Sequence, residues 1–341
     1  TALIRKRIRN AKMKAEEKQV GRYSATTTAL LYLDGVVYLP ICEEMRKRLD
    51  AFEVDGIEDG GMIEYLTRKK KEGRFPVYQT TERPDRAAQA ILEGRVVLLT
   101  DNSPEALIFP ATLNSLFQTA DDYYRNERIV TFLRLIRYVA AFLALALPGL
   151  YVAAATFHPQ LLPGNLIRSM AEARSGVPFP TAAEVLLMEL SFELLREAGV
   201  RMPGPAGNTI GIVGGLIVGQ AAVSANLVSP ITVTVAALTA LGSFSIPNEE
   251  LSEVFRLWKY GILLLGSCFG ILGVMLGCFL LLMLMAEQES YGIPWLYPYV
   301  GGNLNERADE KDSMFLAAAR KRKRRPIFAK WGNRIRFRRK S

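Results

Sequence analysis

Residues 178–205 read PFPTAAEVLLMELSFELLREAGVRMPGP, and the interpretation of the whole chain depends on this stretch. Its apolar spacing predicts a helix, yet four carboxylates lie within it, at Glu184, Glu189, Glu193 and Glu197. Some of the most hydrophobic sequence of the chain lies on either side. Because a charge near the centre of a bilayer is costly, we expect these carboxylates to face water, protein or the membrane interface.

The neighbouring sequence contains apolar runs that are long enough to cross a membrane. About 20 helical residues at 1.5 Å each span the hydrocarbon layer of about 30 Å. Arginines precede the first run and a basic segment follows the last, and such residues near span ends tend to stay cytoplasmic. We therefore predict four spans and a glutamate helix that is amphipathic or re-entrant. The predicted spans are residues 138–157, 207–225, 228–246 and 260–286.

The part of the chain before these runs has the composition of a soluble domain. Residues 21–130 alternate β-branched, apolar segments with segments of helical periodicity, which predicts a small soluble α/β domain. The predicted fold is therefore α+β, with that domain followed by an α-helical transmembrane domain over residues 131–300. Residues 1–20 are charged and are predicted to be a linker. No signal peptide is expected from this beginning, and the chain is interpreted as a fragment or the product of an internal gene start.

The positive charge of the chain is concentrated at its end. The formal net charge is +9, whereas residues 303–341 alone carry 14 Lys and Arg against 4 Asp and Glu. Such a segment suits either nucleic acid or anionic lipid. Since it follows a predicted span almost directly, we predict that residues 301–341 form a basic cytoplasmic tail near the membrane, and we expect no nucleic-acid partner.

The sequence offers few groups for catalysis or metal binding. Its three cysteines, Cys42, Cys268 and Cys278, lack metal-ligand spacing, and the single histidine, His158, has no nearby cluster of ligands. The loops of the soluble part carry no Gly-rich phosphate motif and no nucleophile–base set. We therefore predict a protein that is not an enzyme and that has no catalytic residues, no metal and no cofactor.

Small hydroxyl residues lie on one stripe of the third predicted span. At 100° per residue, the stripe falls within a sector of about 80°. Such a stripe can line a wet path or pack helices closely, and both interpretations stay open. The candidate pore-lining residues are Ser229, Thr232, Thr239 and Ser243.

Glycines recur at three- and four-residue spacing in the second and fourth predicted spans. Faces without side chains let neighbouring backbones approach closely, so we predict tight helix packing there. The candidate packing residues are Gly211, Gly215, Gly219, Gly266, Gly270, Gly273 and Gly277.

Three of the glutamates share one face of the predicted helix, namely Glu189, Glu193 and Glu197. One interpretation is an amphipathic helix at the membrane surface with its carboxylates in water. The other is an acidic vestibule that attracts cations by the combined field of its carboxylates. The sequence leaves both open.

Several long stretches resemble the GerA family of spore germination proteins. They include residues 77–112 (VYQTTERPDRAAQAILEGRVVLLTDNSPEALIFPAT), 147–163 (LPGLYVAAATFHPQLLP), 245–252 (SIPNEELS) and 291–298 (YGIPWLYP), together with the glutamate stretch. The resemblance implies an A-type subunit of a nutrient germinant receptor or a SpoVAF paralogue. It implies a multi-pass protein of the spore inner membrane that works with a permease-like B subunit and a lipoprotein C subunit. It also implies that residues 1–20 are the remnant of a connection to a missing N-terminal lobe, and hence that the chain is a fragment or a divergent paralogue.

The resemblance also implies that A-type subunits form homo-oligomers that act as gated cation channels. On this basis we expect a membrane subunit of a germinant receptor that conducts monovalent cations, with its soluble domain and tail in the cytoplasm. Two alternatives stay open: a secondary transporter of ions or small solutes, and a non-conducting scaffold for receptor complexes.

Overall fold

The computed structural model describes the chain as two units. The first unit comprises Thr1–Ile136 and Leu284–Ser341, and the second comprises Arg137–Met283. The described residues are 1–69, 72–201, 205–300, 312–322, 324–330, 332 and 335. Within them, the side chains of residues 205–213, 216 and 319 are not described.

The first unit is organised around an antiparallel sheet of five strands. The strands are β1 (Met13–Val20), β2 (Thr26–Leu33), β3 (Gln79–Thr81), β4 (Val96–Thr100) and β5 (Ala106–Phe109). Their spatial order in the sheet is β1-β2-β4-β5-β3.

Residues 1–20 are part of the folded first unit, so the prediction of a linker is wrong. They form helix α1 (Ala2–Arg7) and strand β1, which pairs with β2 from Met13 opposite Leu33 to Val20 opposite Thr26. Strand β1 lies at the edge of the sheet, where charged side chains are tolerated because one side of the strand is open. Its charges hid the strand pattern in the sequence.

Helices cover both faces of the sheet. On one face, α2 (Leu39–Asp50) and α3 (Gly60–Thr67) bury residues such as Met45 and Ile63 against Leu98. On the other, α1 and α4 (Pro84–Glu93) bury Ile4 and Ile91 against the opposite sides of the strands. Burial on both faces explains why the inner strands β4 and β5, with the sequences VVLLT and ALIF, are nearly continuous apolar runs. The predicted small α/β domain is thus confirmed, and a short helix, α5 (Leu113–Leu116), follows the sheet.

Gly94 ends α4, as its position in the sequence predicts. Its φ is +94°, in the left-handed region that glycine adopts without strain. A Cβ at this position would lie 2.7 Å from Ala329 Cα, so glycine also allows a C-terminal segment to pack against the end of α4.

The C-terminal part of the chain contributes to the core of the first unit. A small hairpin, β6 (Glu289–Ser290) and β7 (Ile293–Pro294), precedes Trp295, which is fully buried and stacks on Phe75 at 4.9 Å between ring centroids. Phe328 is also buried there. The domain boundaries therefore differ from those predicted at residues 130 and 300, because the described residues after 283 fold with the α/β domain.

The second unit is helical, as predicted. Its helices are α6 (Glu127–Thr156), α7 (Gly164–Arg174), α8 (Thr181–Arg201), α9 (Pro205–Ser224), α10 (Pro230–Phe244) and α11 (Glu249–Glu287). Helix α8, which carries the four glutamates, packs against α9 and α10. The boundaries between the two units fall within α6 and α11.

Among the described residues, two helices rather than four are long and apolar enough to cross a membrane, judged by length and composition. They are α6 and α11. Helix α10 has 15 residues, and these cover only about 22 Å at 1.5 Å each, because Ser229 and Ser245 form its caps instead of continuing it. The predicted span 207–225 coincides with α9, part of whose side chains lie outside the described ones.

Helix α11 is not straight, because the chain reverses at Gly270. This residue has φ +63° and ψ −143°, values that interrupt the helix. A Cβ on Gly273 would overlap the carbonyl oxygen of Leu265, and one on Gly277 would lie 3.4 Å from Ile262 Cα. Gly277 and Ile262 are 15 residues apart in the sequence, so they can approach this closely only if the two halves of α11 fold back on each other.

The predicted single span 260–286 is therefore a helical hairpin. Glycine is needed at its turn for its conformation and beside the turn for close packing of the two halves. Hydrophobicity alone does not reveal such a reversal, since the residues of the predicted span are apolar on both sides of Gly270.

Burial on α2 makes the Cys42 thiol unreactive. The side chain is fully buried, and desolvation raises the pKa of its thiol to about 12. At pH 8 the reactive thiolate is then more than roughly a thousandfold rarer than in an ordinary cysteine. In a C268S/C278S variant, we expect a thiol reagent to label Cys42 at least about a thousandfold more slowly in the folded chain than in guanidinium. Similar rates in both states would contradict this packing.

Candidate functional site

The glutamate helix α8 is the centre of the polar interactions in the second unit. Glu184 is 0% exposed, and its carboxylate accepts hydrogen bonds from Arg174 Nε at 3.2 Å and from the backbone N–H of Ser229 at 2.9 Å. A third hydrogen bond comes from Thr232 Oγ1 at 3.1 Å. One carboxylate thus joins α7, α8 and the beginning of α10.

The position of Glu184 suits the start of a helix. Ser229 is the N-cap of α10, with its Oγ accepting from the backbone N–H of Thr232 at 3.3 Å. Free N–H groups and the helix dipole make a helix N-terminus favourable for an anion, here the Glu184 carboxylate. On the predicted helix, Glu184 lies on a different face from the other three glutamates. In the sequence, the Ser229-Pro230 pair marks the beginning of α10, which is the helix N-terminus that the Glu184 carboxylate contacts.

Each of the other three glutamates is paired with a cation. Glu189 Oε2 accepts from Lys259 Nζ at 2.6 Å, and both side chains are at most 6% exposed. Glu193 forms an ion pair with Arg256. Glu197, which is 63% exposed, pairs with Arg201 of its own helix at 2.7 Å.

These pairs change the electrostatics expected of the glutamate face. Three carboxylates meet three cations, so the group carries no surplus of negative charge in a single chain. Lys259 and Arg256 lie more than 60 residues away in the sequence, which is why the pattern of α8 did not reveal them. Attraction of cations by this face therefore requires the ion pairs to open, and the acidic vestibule stays a prediction.

The four candidate pore residues are buried in the second unit. None is more than 6% exposed. Thr232 Oγ1 lies 3.0 Å from Ser229 Oγ and 3.3 Å from the hydroxyl oxygen of Tyr151, while Thr239 donates to the Val235 carbonyl at 2.9 Å. Ser243 donates to the Ala240 carbonyl at 2.7 Å. Within one chain the stripe therefore packs helices, and a wet path along it would require the helices to separate.

Most of the described candidate glycines lie at close helix contacts. A Cβ on Gly215 would meet Phe192 at 3.5 Å, and one on Gly219 would meet Val233 at 3.3 Å. On the hairpin, a Cβ on Gly266 would lie 2.9 Å from Val274. Gly273 and Gly277 lie where the halves of α11 meet, as described above. Gly270 differs from its predicted role, since its position is the turn itself, and the surroundings of Gly211 lie outside the described side chains.

The first unit contains a second polar network that the sequence analysis missed. Arg48 binds Glu72 through two hydrogen bonds, of 2.6 Å and 2.8 Å, and its guanidinium lies 4.1 Å from the centroid of the Tyr291 ring. Glu44 accepts from Arg48 and Lys69, and these hydrogen bonds hold the pKa of its carboxyl below the ordinary value. The residues come from α2, the segment after α3 and the β6–β7 hairpin, so no local motif marks them.

This network lines a cavity of about 590 Å³. Cations and carboxylates both line it, and the described ones are largely paired with each other. Among the residues that the structure describes, no group of three or more His, Cys, Asp or Glu is placed to hold a metal ion.

An α/β domain combined with a helical unit in which two helices are long and apolar enough to cross a membrane is consistent with membrane association. The family model of the Bacillus/Clostridium GerA spore germination protein matches residues 1–328. The chain therefore belongs to the GerA family, and the resemblance found in its sequence is confirmed.

Curated relatives support the same family. The chain is 39% identical to the uncharacterized membrane protein YfkQ of Bacillus subtilis (strain 168), a match that covers 93% of this chain and 61% of YfkQ. It is 37% identical to spore germination protein KA of the same organism, over 87% of this chain and 55% of the relative. It is 38% identical to spore germination protein GerLA of Bacillus cereus, over 87% of this chain and 60% of GerLA. The chain thus spans about 55–61% of the length of these relatives.

Among solved structures, the N-terminal domain of the A subunit of the Bacillus megaterium spore germinant receptor GerK3 matches 33% of this chain and 89% of its own length. The identity is 32% and the TM-score 0.26, too low a score for a comparison of folds.

Proposed function

We propose that this protein is a membrane subunit of a spore germination receptor and that it assembles into a gated pathway for monovalent cations. Its membership of the GerA family, with relatives named as spore germination proteins, is the observation that supports the receptor role most strongly. The protein would act by binding and assembly rather than by catalysis. It would lie in the spore inner membrane as a multi-pass protein, with the α/β domain and the tail on the cytoplasmic side.

The proposed partners are a second copy of the chain, a permease-like B subunit and a lipoprotein C subunit. Glycine faces on α9 and α11 allow close approach of helices, which supports packing between apolar helices in lipid.

Conduction would require the polar groups of the second unit to change partners. The hydroxyl stripe of α10 and the carboxylates of α8 lie inside apolar helices, where uncompensated polar groups are costly and are therefore paired at rest. An opened state in which these groups face water would attract cations and offer them oxygen atoms. The buried Glu189–Lys259 pair is the contact whose opening would restore negative charge to the path.

Potassium efflux from liposomes tests this proposal. We expect liposomes that contain the purified chain, with its partner subunits, to release potassium without saturation, and a T239L variant to reduce that release at least about tenfold. A leucine adds apolar volume and removes a hydroxyl at the centre of the stripe. The matched control is T234L on the same helix, because Thr234 is exposed on another face and its leucine variant should conduct like the wild type.

Oligomer size, measured by cross-linking, separates blockage from misassembly. If T239L assembles normally and releases potassium at the wild-type rate, the stripe does not line the pathway. Saturable, substrate-coupled uptake would instead indicate a secondary transporter.

A second candidate function is a non-conducting scaffold for receptor complexes. The observation that favours it is that all four hydroxyl residues are buried and bonded within one chain. In that case the wild-type chain would assemble with its partners but add no potassium release of its own.

A further inference from the structure

A set of buried arginines in the first unit has more hydrogen-bond donors than partners. Arg86, Arg95 and Arg134 are each at most 3% exposed. Within the part of the chain that the structure describes, Arg86 Nε and Nη1, Arg95 Nε and Arg134 Nη2 have no hydrogen-bond partner. The same holds for Nε of the half-buried Arg322. Buried donors of charged groups are almost always satisfied, so this many at one place indicates a missing acceptor.

The arginines are held close together. Arg86 Nη2 and Arg95 Nη1 share one neutral acceptor, Gln79 Oε1, at 3.3 Å and 3.2 Å. The guanidinium groups of Arg86, Arg134 and Arg322 lie 5.9, 5.8 and 5.3 Å from the centroid of the Tyr123 ring. An amide oxygen and an aromatic ring attract cations but do not neutralise them.

Carboxylates neutralise only part of this charge. Asp122 accepts from Arg134 at 3.0 Å, and Asp312 accepts from Arg134 at 3.0 Å and from Arg322 at 3.2 Å. Glu93 lies beside Arg95 and is the third carboxylate of the cluster. The described side chains are therefore three carboxylates and the four arginines named above, and Arg324, which lines the same cavity, is a fifth arginine. Counted over the described side chains, the surplus is two positive charges, one of them on the exposed Arg324, and a phosphate dianion carries the same charge with opposite sign.

A cavity is present where this surplus lies. It has a volume of about 50 Å³, and Arg95, Arg322, Arg324, Tyr123, Glu93 and Asp312 are among the residues that line it. That volume exceeds the roughly 15 Å³ needed for one water molecule and suits a group of a few heavy atoms. Water could accept from the free donors, but it would leave the charge uncompensated.

The burial and the positive charge of Arg95 indicate that the cavity takes an anion. Burial lowers the pKa of its guanidinium to about 10; Glu93 opposes this shift and the neighbouring Arg86 adds to it. The side chain stays protonated at neutral pH, with Nε unsatisfied and its guanidinium 4.4 Å from the Phe328 ring centroid. An oxyanion in the cavity would accept from several guanidinium groups at once, the strongest class of hydrogen bond in proteins.

We propose that this cavity binds a phosphate group, with Arg95 and Arg322 as its main ligands and Arg86 and Arg134 as supporting charges. The group can belong to inorganic phosphate or a small phosphate monoester, or to the headgroup of an anionic phospholipid. The carboxylates of Glu93 and Asp312 also line the cavity, so the anion must lie on its arginine side.

Equilibrium dialysis of the full chain with ³²P-labelled inorganic phosphate tests the free-ligand source. In neutral detergent at fixed ionic strength, we expect saturable binding of one phosphate per chain. R95Q should weaken it at least about tenfold, since a charge-assisted hydrogen bond to the ligand is lost. R322Q should act in the same direction and serves as a second variant at a less buried position. The control is R125Q, which changes an exposed arginine of the same unit.

Native mass spectrometry with phosphatidic acid in phosphatidylcholine micelles tests the lipid source. Retention of phosphatidic acid that R95Q and R322Q abolish, without binding of inorganic phosphate, would assign the cavity to a headgroup. Binding of neither probe, or equal binding by wild type and both arginine variants, would overturn the proposal.

A stability measurement separates binding from a purely structural role. In phosphate-free buffer, R95Q should change the unfolding temperature little, because it lowers the surplus positive charge of the cluster while the buried Glu93 loses a neighbouring cation. Phosphate should then raise the unfolding temperature of the wild type but not of R95Q. An equal loss of stability in R95Q with and without phosphate would mean that Arg95 only supports the fold.

Discussion

Replacing Glu184 by alanine is expected to destabilise the second unit by about 3–5 kcal/mol. The change leaves the Arg174 guanidinium without its carboxylate and the buried N–H of Ser229 without an acceptor. It also removes the contact that joins α7 and α8 to the start of α10. Thermal unfolding of the detergent-solubilised chain, followed by circular dichroism, should show a fall of roughly 6–20 °C.

Two variants on the same helix test this explanation. E184Q keeps the shape of the side chain and a neutral acceptor, so its stability should lie between that of the wild type and that of E184A. E197A removes an exposed ion pair with Arg201, and such pairs contribute at most about 1 kcal/mol. Equal losses in E184A and E197A would show that Glu184 is not a structural centre.

Replacing Arg48 by methionine is expected to cost the first unit about 3–5 kcal/mol. Both partners of the Arg48–Glu72 pair are at most 9% exposed, so the variant leaves a buried carboxylate without its cation. It also removes the stacking on Tyr291 and the hydrogen bond to the Thr67 carbonyl. Hydrogen–deuterium exchange of peptides from α2 and from the β6–β7 hairpin should report the loss, since it measures local stability.

A double variant and an exposed pair provide the controls. In R48M/E72L, apolar side chains replace both charges, and most of the lost stability should return because no buried charge is left unpaired. R46M removes a pair with Glu16 in which both side chains are 40% exposed, and its effect should be below about 1 kcal/mol. Failure of the double variant to recover would place the effect of Arg48 in its contact with Tyr291 instead.

The elements of the first unit that local signals define were predictable from the sequence. The apolar run of β4, the end of α4 at Gly94 and the helical periodicity of α2 each depend on residues close together in the chain. Strand β1 was missed because its charges are those of an exposed edge. Whether a charged segment is an edge strand or a linker depends on its pairing with β2, which the segment itself does not encode.

The polar site of the second unit was predictable only in part. The sequence marked the glutamates of α8 and the hydroxyl stripe of α10 as groups that need polar surroundings. It did not reveal that Lys259 and Arg256 neutralise two of those glutamates, since these cations lie more than 60 residues away. The reversal of α11 was hidden for a different reason, because it depends on the conformation of Gly270 rather than on a change in hydrophobicity.

By itself, the sequence determined the family, the α/β nature of the first unit and the helical nature of the second, because composition, periodicity and extended motifs record these properties residue by residue. Only the tertiary structure decided which charges are paired and where unpaired donors remain, as at Glu184, Arg48 and the cavity beside Arg95. The physical reason is that the free energy of a buried charge depends on the groups within a few ångströms of it, and folding brings those groups from distant parts of the chain.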